Sequence, residues 1–111
     1  MTIDKEGDIT IIFRKDASFS TFMENLKDAY PRLKKDNLII DLTSFRALPV
    51  HEVLRFLELS EAHRAANRSF VLVTDQVTYD DVPEELAVTP TLQEARDLVE
   101  MEEIERDLDF E

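Results

Sequence analysis

The apolar positions of the chain change period several times, and each change marks an element. Ile9 to Phe13, ITIIF, is a β-branched and aromatic run with the composition of a strand. Thr2 to Asp4 is placed to pair with it as a hairpin, with KEGD as the turn and Gly7 supplying a positive φ. The period then lengthens. Phe19, Phe22, Met23, Leu26, Ala29 and Tyr30 recur at helical spacing, on one face of a first helix. Ser18 or Ser20 suits its N-cap, and Thr21 with Glu24 has capping-box spacing. Pro31 is expected to end this helix, because its ring clashes with the preceding turn.

Leu38 to Leu42, LIIDL, is apolar at successive positions, as in a parallel strand buried on both faces. Val50 to about Ala66 reads as a second helix, with Pro49 suited to its first turn. Val50, Val53, Leu54 and Leu57 make one face of it. Phe56 sits at the edge of that face, and Leu59 falls among His51, Glu52, Arg55 and Ala62 on the opposite side. Asn67 fits a left-handed cap, and Phe70 to Val73 is another buried strand. TDQVTYDDVPEEL reads as a polar loop or a frayed turn, and LAVTP as a short strand ended by Pro90. Thr91, with Glu94 at capping-box distance, opens a last helix over about 91–108. Its apolar positions are Leu92, Ala95, Leu98, Val99, Met101, Ile104 and Leu108. Strands alternating with helices predict one α/β domain over 1–111: a mixed, mostly parallel sheet with an N-terminal hairpin edge and three main helices.

Composition narrows the chemistry. With 111 residues, 43% of them hydrophobic, the chain can bury a single core. It has no cysteine, which excludes disulfides, thiolate catalysis and Cys-based metal sites and suits a cytoplasmic location. No apolar run approaches the ~20 residues of a membrane span, and the polar Met1–Asp8 is unlike a secretory signal. The net charge of −12 argues against nucleic acid and anionic membranes as partners and would steer a basic protein toward the chain. One glycine in the whole chain excludes a Gly-rich phosphate cradle.

Few residues have catalytic or metal-binding character. Asp41, at the C-terminal end of a central strand, stands where open α/β sheets place ligand groups. It would suit a receiver-like phosphoacceptor or, with Thr74 and Asp75, a small-ligand or metal site. The plainer reading is that Asp41 caps the loop at Thr43 to Phe45 through backbone N–H groups. HEVLR lacks the second His of a zinc protease helix. His51 and His63 would lie about 18 Å apart along one helix, too far to share a metal, and both read as surface residues. Asp75, Asp80 and Asp81 lack the pattern of a calcium loop. In LVEMEEIERDLDFE, Leu98, Met101, Ile104 and Leu108 extend an apolar edge beyond what a small sheet covers, and Phe110 follows. This segment either folds back on its own sheet or docks in trans. With Phe56 and Leu59 it forms a candidate interaction surface.

The element order, with LIIDLTSFRALPVHEVLRFL at its centre, resembles the STAS superfamily of anti-sigma factor antagonists and sulphate-transporter cytoplasmic domains. Asp41, Leu42 and Thr43 match the Asp-Leu-Ser/Thr of the family's strand end. AHRAANRSFVLVT and LAVTPTLQEARDLVE are similar to its following helix end and strand, and to its last strand and Thr-Leu-x-Glu-Ala helix. The family's third helix is shortened here to the Asp75–Glu85 loop. The family's Asp-Ser-Ser-Gly, with its phosphorylatable serine, falls on Pro49, Val50, His51 and Glu52, so the switch hydroxyl is missing. The resemblance implies a bacterial, non-enzymatic regulatory module with no cofactor, metal or phosphorylation site. Its partner would be another protein, whether an anti-sigma factor, a kinase-like protein or an operon partner, and a homodimer is left open. The contact would involve Thr43, Ser44, Phe45, Arg46, Val50, His51, Glu52 and Arg55, with Phe56 and Leu59.

Overall fold

Gly7, at φ 63°, and Asp8 join strand β1 (Thr2–Glu6) to β2 (Ile9–Phe13) in the computed structural model, which describes residues 1–108. This turn is tighter than KEGD suggests. Lys5 and Glu6 belong to β1, where they pair with Thr10 and Ile9. The remaining strands, β3 (Asn37–Asp41), β4 (Phe70–Val73) and β5 (Ala87–Thr89), join β2 in parallel, in the order β1-β2-β3-β4-β5. Only the hairpin is antiparallel.

The register sorts side chains into two rows. Ile12, Ile40, Leu72 and Val88 lie on one face, and Ile11, Ile39, Val71 and Ala87 on the other. Helices α1 (Phe19–Leu33), α2 (Val50–Val53) and α3 (Leu57–Ala65) cover the first row. Helix α4 (Leu92–Leu108) covers the second, through Ala95 and Val99. Both faces of the central strands are therefore dry, as their unbroken apolar runs require. The fold is STAS-like.

Three local signals act as expected. Ser18 caps α1 by accepting the Thr21 N–H at 3.2 Å. Asn67 takes the left-handed conformation, φ 63°. Thr91 accepts the Glu94 N–H at 3.2 Å and starts α4.

Two expectations are corrected. Pro31 does not end α1, which runs on to Leu33. Pro31 is exposed in the last turn, where only a short helical stub follows it, and that stub buries Leu33. A buried Leu gains about 1.5–3 kcal/mol, comparable with the ~3 kcal/mol that proline costs in a helix interior.

The second helix is also not continuous. A 3-10 turn, Leu54–Phe56, separates α2 from α3. The inward stripe is Val53, Phe56, Ser60 and His63, while Leu54 is exposed. Phe56 and His63 are fully buried, not at an edge or on the surface. Ser60 donates to the Glu85 carbonyl at 3.0 Å, and both ring nitrogens of His63 are bonded, so polar groups sit in the core without cost. Phe56 and Leu59 also lie on the opposite side of the sheet from α4, so they share no surface with Met101, Ile104 and Leu108. Helix α4 runs to Leu108 and packs on its own sheet through Ala95 and Val99, but Met101, Ile104 and Leu108 stay exposed; Phe110 lies outside the described residues.

Candidate functional site: the tip between β3 and α2

The chain leaves β3 at Asp41 and re-enters helix at Val50, and the segment between them is anchored from beneath. Leu42, Phe45 and Leu48 are buried. Phe45 packs edge-on against Phe19 and Phe22, with centroids 5.4 and 5.8 Å away. The Leu42 N–H donates to the Val73 carbonyl at 2.9 Å, and the Phe45 N–H to the Leu42 carbonyl at 3.0 Å.

Asp41 closes the loop on itself. Its Oδ1 accepts the Thr43 N–H at 2.9 Å and the Thr43 hydroxyl at 2.6 Å. This is an Asx-type turn, and it turns the carboxylate toward the protein's own backbone. Of the other two strand-end groups, Thr74 Oγ1 accepts the Gln76 N–H at 3.1 Å, and Asp75 Oδ1 accepts from the Gln76 amide at 3.1 Å. Asp81 is likewise engaged, accepting the Thr78 N–H at 2.9 Å in a capping box. A hollow of about 240 Å³, lined by Asp75, Val77, Tyr79 and Pro90 among others, takes in neither Asp41 nor Thr74. Among the described residues no three His, Asp or Glu side chains cluster to hold a metal.

Arg14, just past the end of β2, ties the tip to the rest of the fold, and its position in the sequence gave little warning of this role. Its guanidinium lies over the Phe45 ring at 4.1 Å and donates to the Ser44 hydroxyl at 3.1 Å and to the Ser44 carbonyl. A planar, permanently charged group can stack and donate at once, which lysine cannot. The signal was indirect: Phe13 pairs with Asp41 in register, so residue 14 projects at the level where the loop departs. Arg55 makes a looser version of the arrangement, 5.4 Å from the Phe19 ring and 3.2 Å from Glu52.

The positions matching the family's switch open α2. Pro49 stands at the N-cap without a side-chain bond, and its carbonyl accepts the Glu52 and Val53 N–H groups at 3.0 and 3.2 Å. His51 projects into solvent, 77% exposed, 3.5 Å from Glu52. Of the sequence-selected contact residues, Thr43, Ser44, Arg46, His51 and Arg55 are exposed together on this tip, and Val50, Glu52 and Leu59 are half-buried. Phe45 and Phe56 are corrected: they are buried floor beneath the tip, Phe45 against Phe19, Phe22 and Arg14, and Phe56 against Phe19 and Phe70. Among the described residues Arg46 forms no ion pair. Arg14 and Arg55 belong to the same tip, Arg55 paired with Glu52.

No family model matches the chain, and no curated protein does. Among solved structures, one chain from the molecular architecture of the stressosome, a signal integration and transduction hub, shares the fold. It is 18% identical, with a TM-score of 0.59, over 89% of this chain and 96% of that one. The likeness agrees with the STAS-like arrangement of the sheet and helices. No helix among the described residues is long and apolar enough to cross a membrane.

Proposed function

We propose that this chain is a non-enzymatic regulatory module that binds another protein through the β3–α2 tip, without a phosphoserine switch. The observation that carries the reading is the state of Asp41. At the end of the central strand β3, Asp41 turns its Oδ1 back onto the Thr43 N–H and hydroxyl, which favours reading the tip as a shaped, anchored surface. The exposed guanidinium of Arg46, with Arg55 and His51 nearby, favours a partner that presents carboxylates or backbone carbonyls there. Pro49 to Glu52 offer no hydroxyl, so a kinase has no acceptor at that turn. Location in the cytoplasm and operon-linked partners belong to the same reading.

The test is affinity capture from native lysate with wild type beside Arg46→Glu/Arg55→Glu. Loss of a specific captured protein in the variant is expected. Equal capture by both would overturn the choice of surface. Thermal shift with Mg²⁺, nucleotides and acetyl phosphate separates the ligand alternative, because a bound ligand adds RT ln(1 + [L]/Kd) of stability. A shift with any of them would overturn the reading as a pure binding module.

A further inference from the structure

Helix α4 carries two opposed faces, and only one of them is used. Ala95 and Val99 face the sheet, and both arginines of the helix also turn inward. Arg96 binds Glu6 through two bonds at 2.9 and 3.0 Å. Arg106 donates to Ser69 Oγ at 3.2 Å and Asn37 Oδ1 at 3.3 Å. Met101, Ile104 and Leu108, three and four residues apart, form a stripe on the other side, 56%, 60% and 63% exposed. It is about 10 Å long by helical rise. The exposed side chains framing it are acidic, with Glu100 and Asp107 along one margin and Glu105 along the other. Asp97 continues the line of the stripe one turn earlier. Among the described residues of α4 no exposed cation interrupts this frame.

We infer that the outer face of α4 is a second docking surface, whose occupant is a basic amphipathic helix of a partner protein. The apolar stripe would take Leu or Met side chains of one helix face, and the acidic margins would take flanking Lys or Arg. Charge decides against a second copy laid helix to helix, because either orientation would press one acidic frame against another. The same charge favours a cationic segment, and the net −12 of the chain would speed its approach. The surface lies across the sheet from the β3–α2 tip and does not depend on it.

The probe is a fluorescein-labelled, 14-residue Leu/Lys amphipathic peptide, followed by anisotropy. A matched Leu/Glu peptide serves as control. Wild type is expected to bind the Lys peptide and not the Glu peptide, less tightly as salt rises. Met101→Ser/Ile104→Ser/Leu108→Ser should weaken binding at least tenfold, with an unchanged circular dichroism spectrum. Glu100→Lys/Glu105→Lys should weaken it at least tenfold as well. Glu58→Lys/Glu61→Lys makes the same change of charge on exposed positions of α3, and should leave binding within twofold. Equal loss in that control would show that binding merely follows net charge, and would overturn the inference. So would undiminished binding by the triple serine variant. Sedimentation of wild type as a dimer that the triple variant abolishes would make a second copy the occupant and would also overturn it.

Discussion

The Tyr30 hydroxyl lies 2.8 Å from Nδ1 of His63, and the two rings meet edge-on with centroids 5.5 Å apart. The other ring nitrogen, Nε2, is 2.7 Å from the Asp36 carbonyl. A carbonyl can only accept, so Nε2 carries the proton, and Nδ1 of the neutral ring accepts from Tyr30. One imidazole thereby joins α1, α3 and the turn before β3.

Burial pushes the His63 pKa below its ordinary value, and the nearby Arg68 and Arg64 charges add to the effect. The Asp36 carbonyl and carboxylate oppose it. With the folded pKa depressed, the folded protein prefers the neutral ring, and the unfolded chain takes up a proton more readily. The stabilisation is complete above the unfolded value of about 6.5 and is lost as pH falls below it. Glu103 acts in the opposite sense. A hydrogen bond with Asp8 raises its pKa, so its contribution is present at low pH and fades as pH rises through the folded value. The urea midpoint of wild type should therefore fall between pH 7.5 and pH 5.5 by more than that of His63→Gln. Parallel pH profiles for the two proteins would remove His63 from the account.

Phe56 and Leu59 were placed together as contact residues by their sequence, yet one is core and the other half-exposed. Phe56 sits against Phe19 and Phe70, with centroids 5.7 and 6.5 Å away. Phe56→Ala should cost about 3–5 kcal/mol, the range for a buried aromatic. Leu54→Ala, at a site 36% exposed, should cost clearly less. Urea unfolding of both variants measures the contrast, and similar midpoints would contradict the placement of Phe56 in the core with Leu54 outside it.

Arg14→Ala should loosen the tip without unfolding the domain. The lost stacking on Phe45 and the bonds to Ser44 predict about 1–2 kcal/mol of destabilisation. Amide exchange should quicken locally over 43–48, with Arg14→Lys intermediate because it keeps the charge and loses the planar fork. Exchange rates unchanged in that segment would show that the loop is held by Phe45 and Leu48 alone.

Much of the architecture was legible because its signals are local. Gly7 and Asn67 mark backbone turns with positive φ, and Ser18 and Thr91 mark helix starts by side chains that bond the first N–H groups. The apolar runs at Ile9–Phe13, Leu38–Leu42 and Phe70–Val73 could belong only to strands covered on both faces. The second helix was misjudged for a physical reason: two of its four inward positions are Ser60 and His63. Hydropathy scores these as surface, and only their distant partners, Glu85, Tyr30 and Asp36, make them interior. The tip was found as a location, through Asp41 and the turn into α2. Its anchoring was not, because Arg14 and Ser44 are thirty residues apart.

Strand β1 ends the sheet with one long edge unpaired, and all five of its residues face water. Such a margin is where foreign strands add to sheets and where fibrils begin. Here Asp4, Lys5 and Glu6 occupy more than half of it, and any strand aligning there would have to dehydrate ions of both signs. The charges on this open border thus disfavour strand addition there.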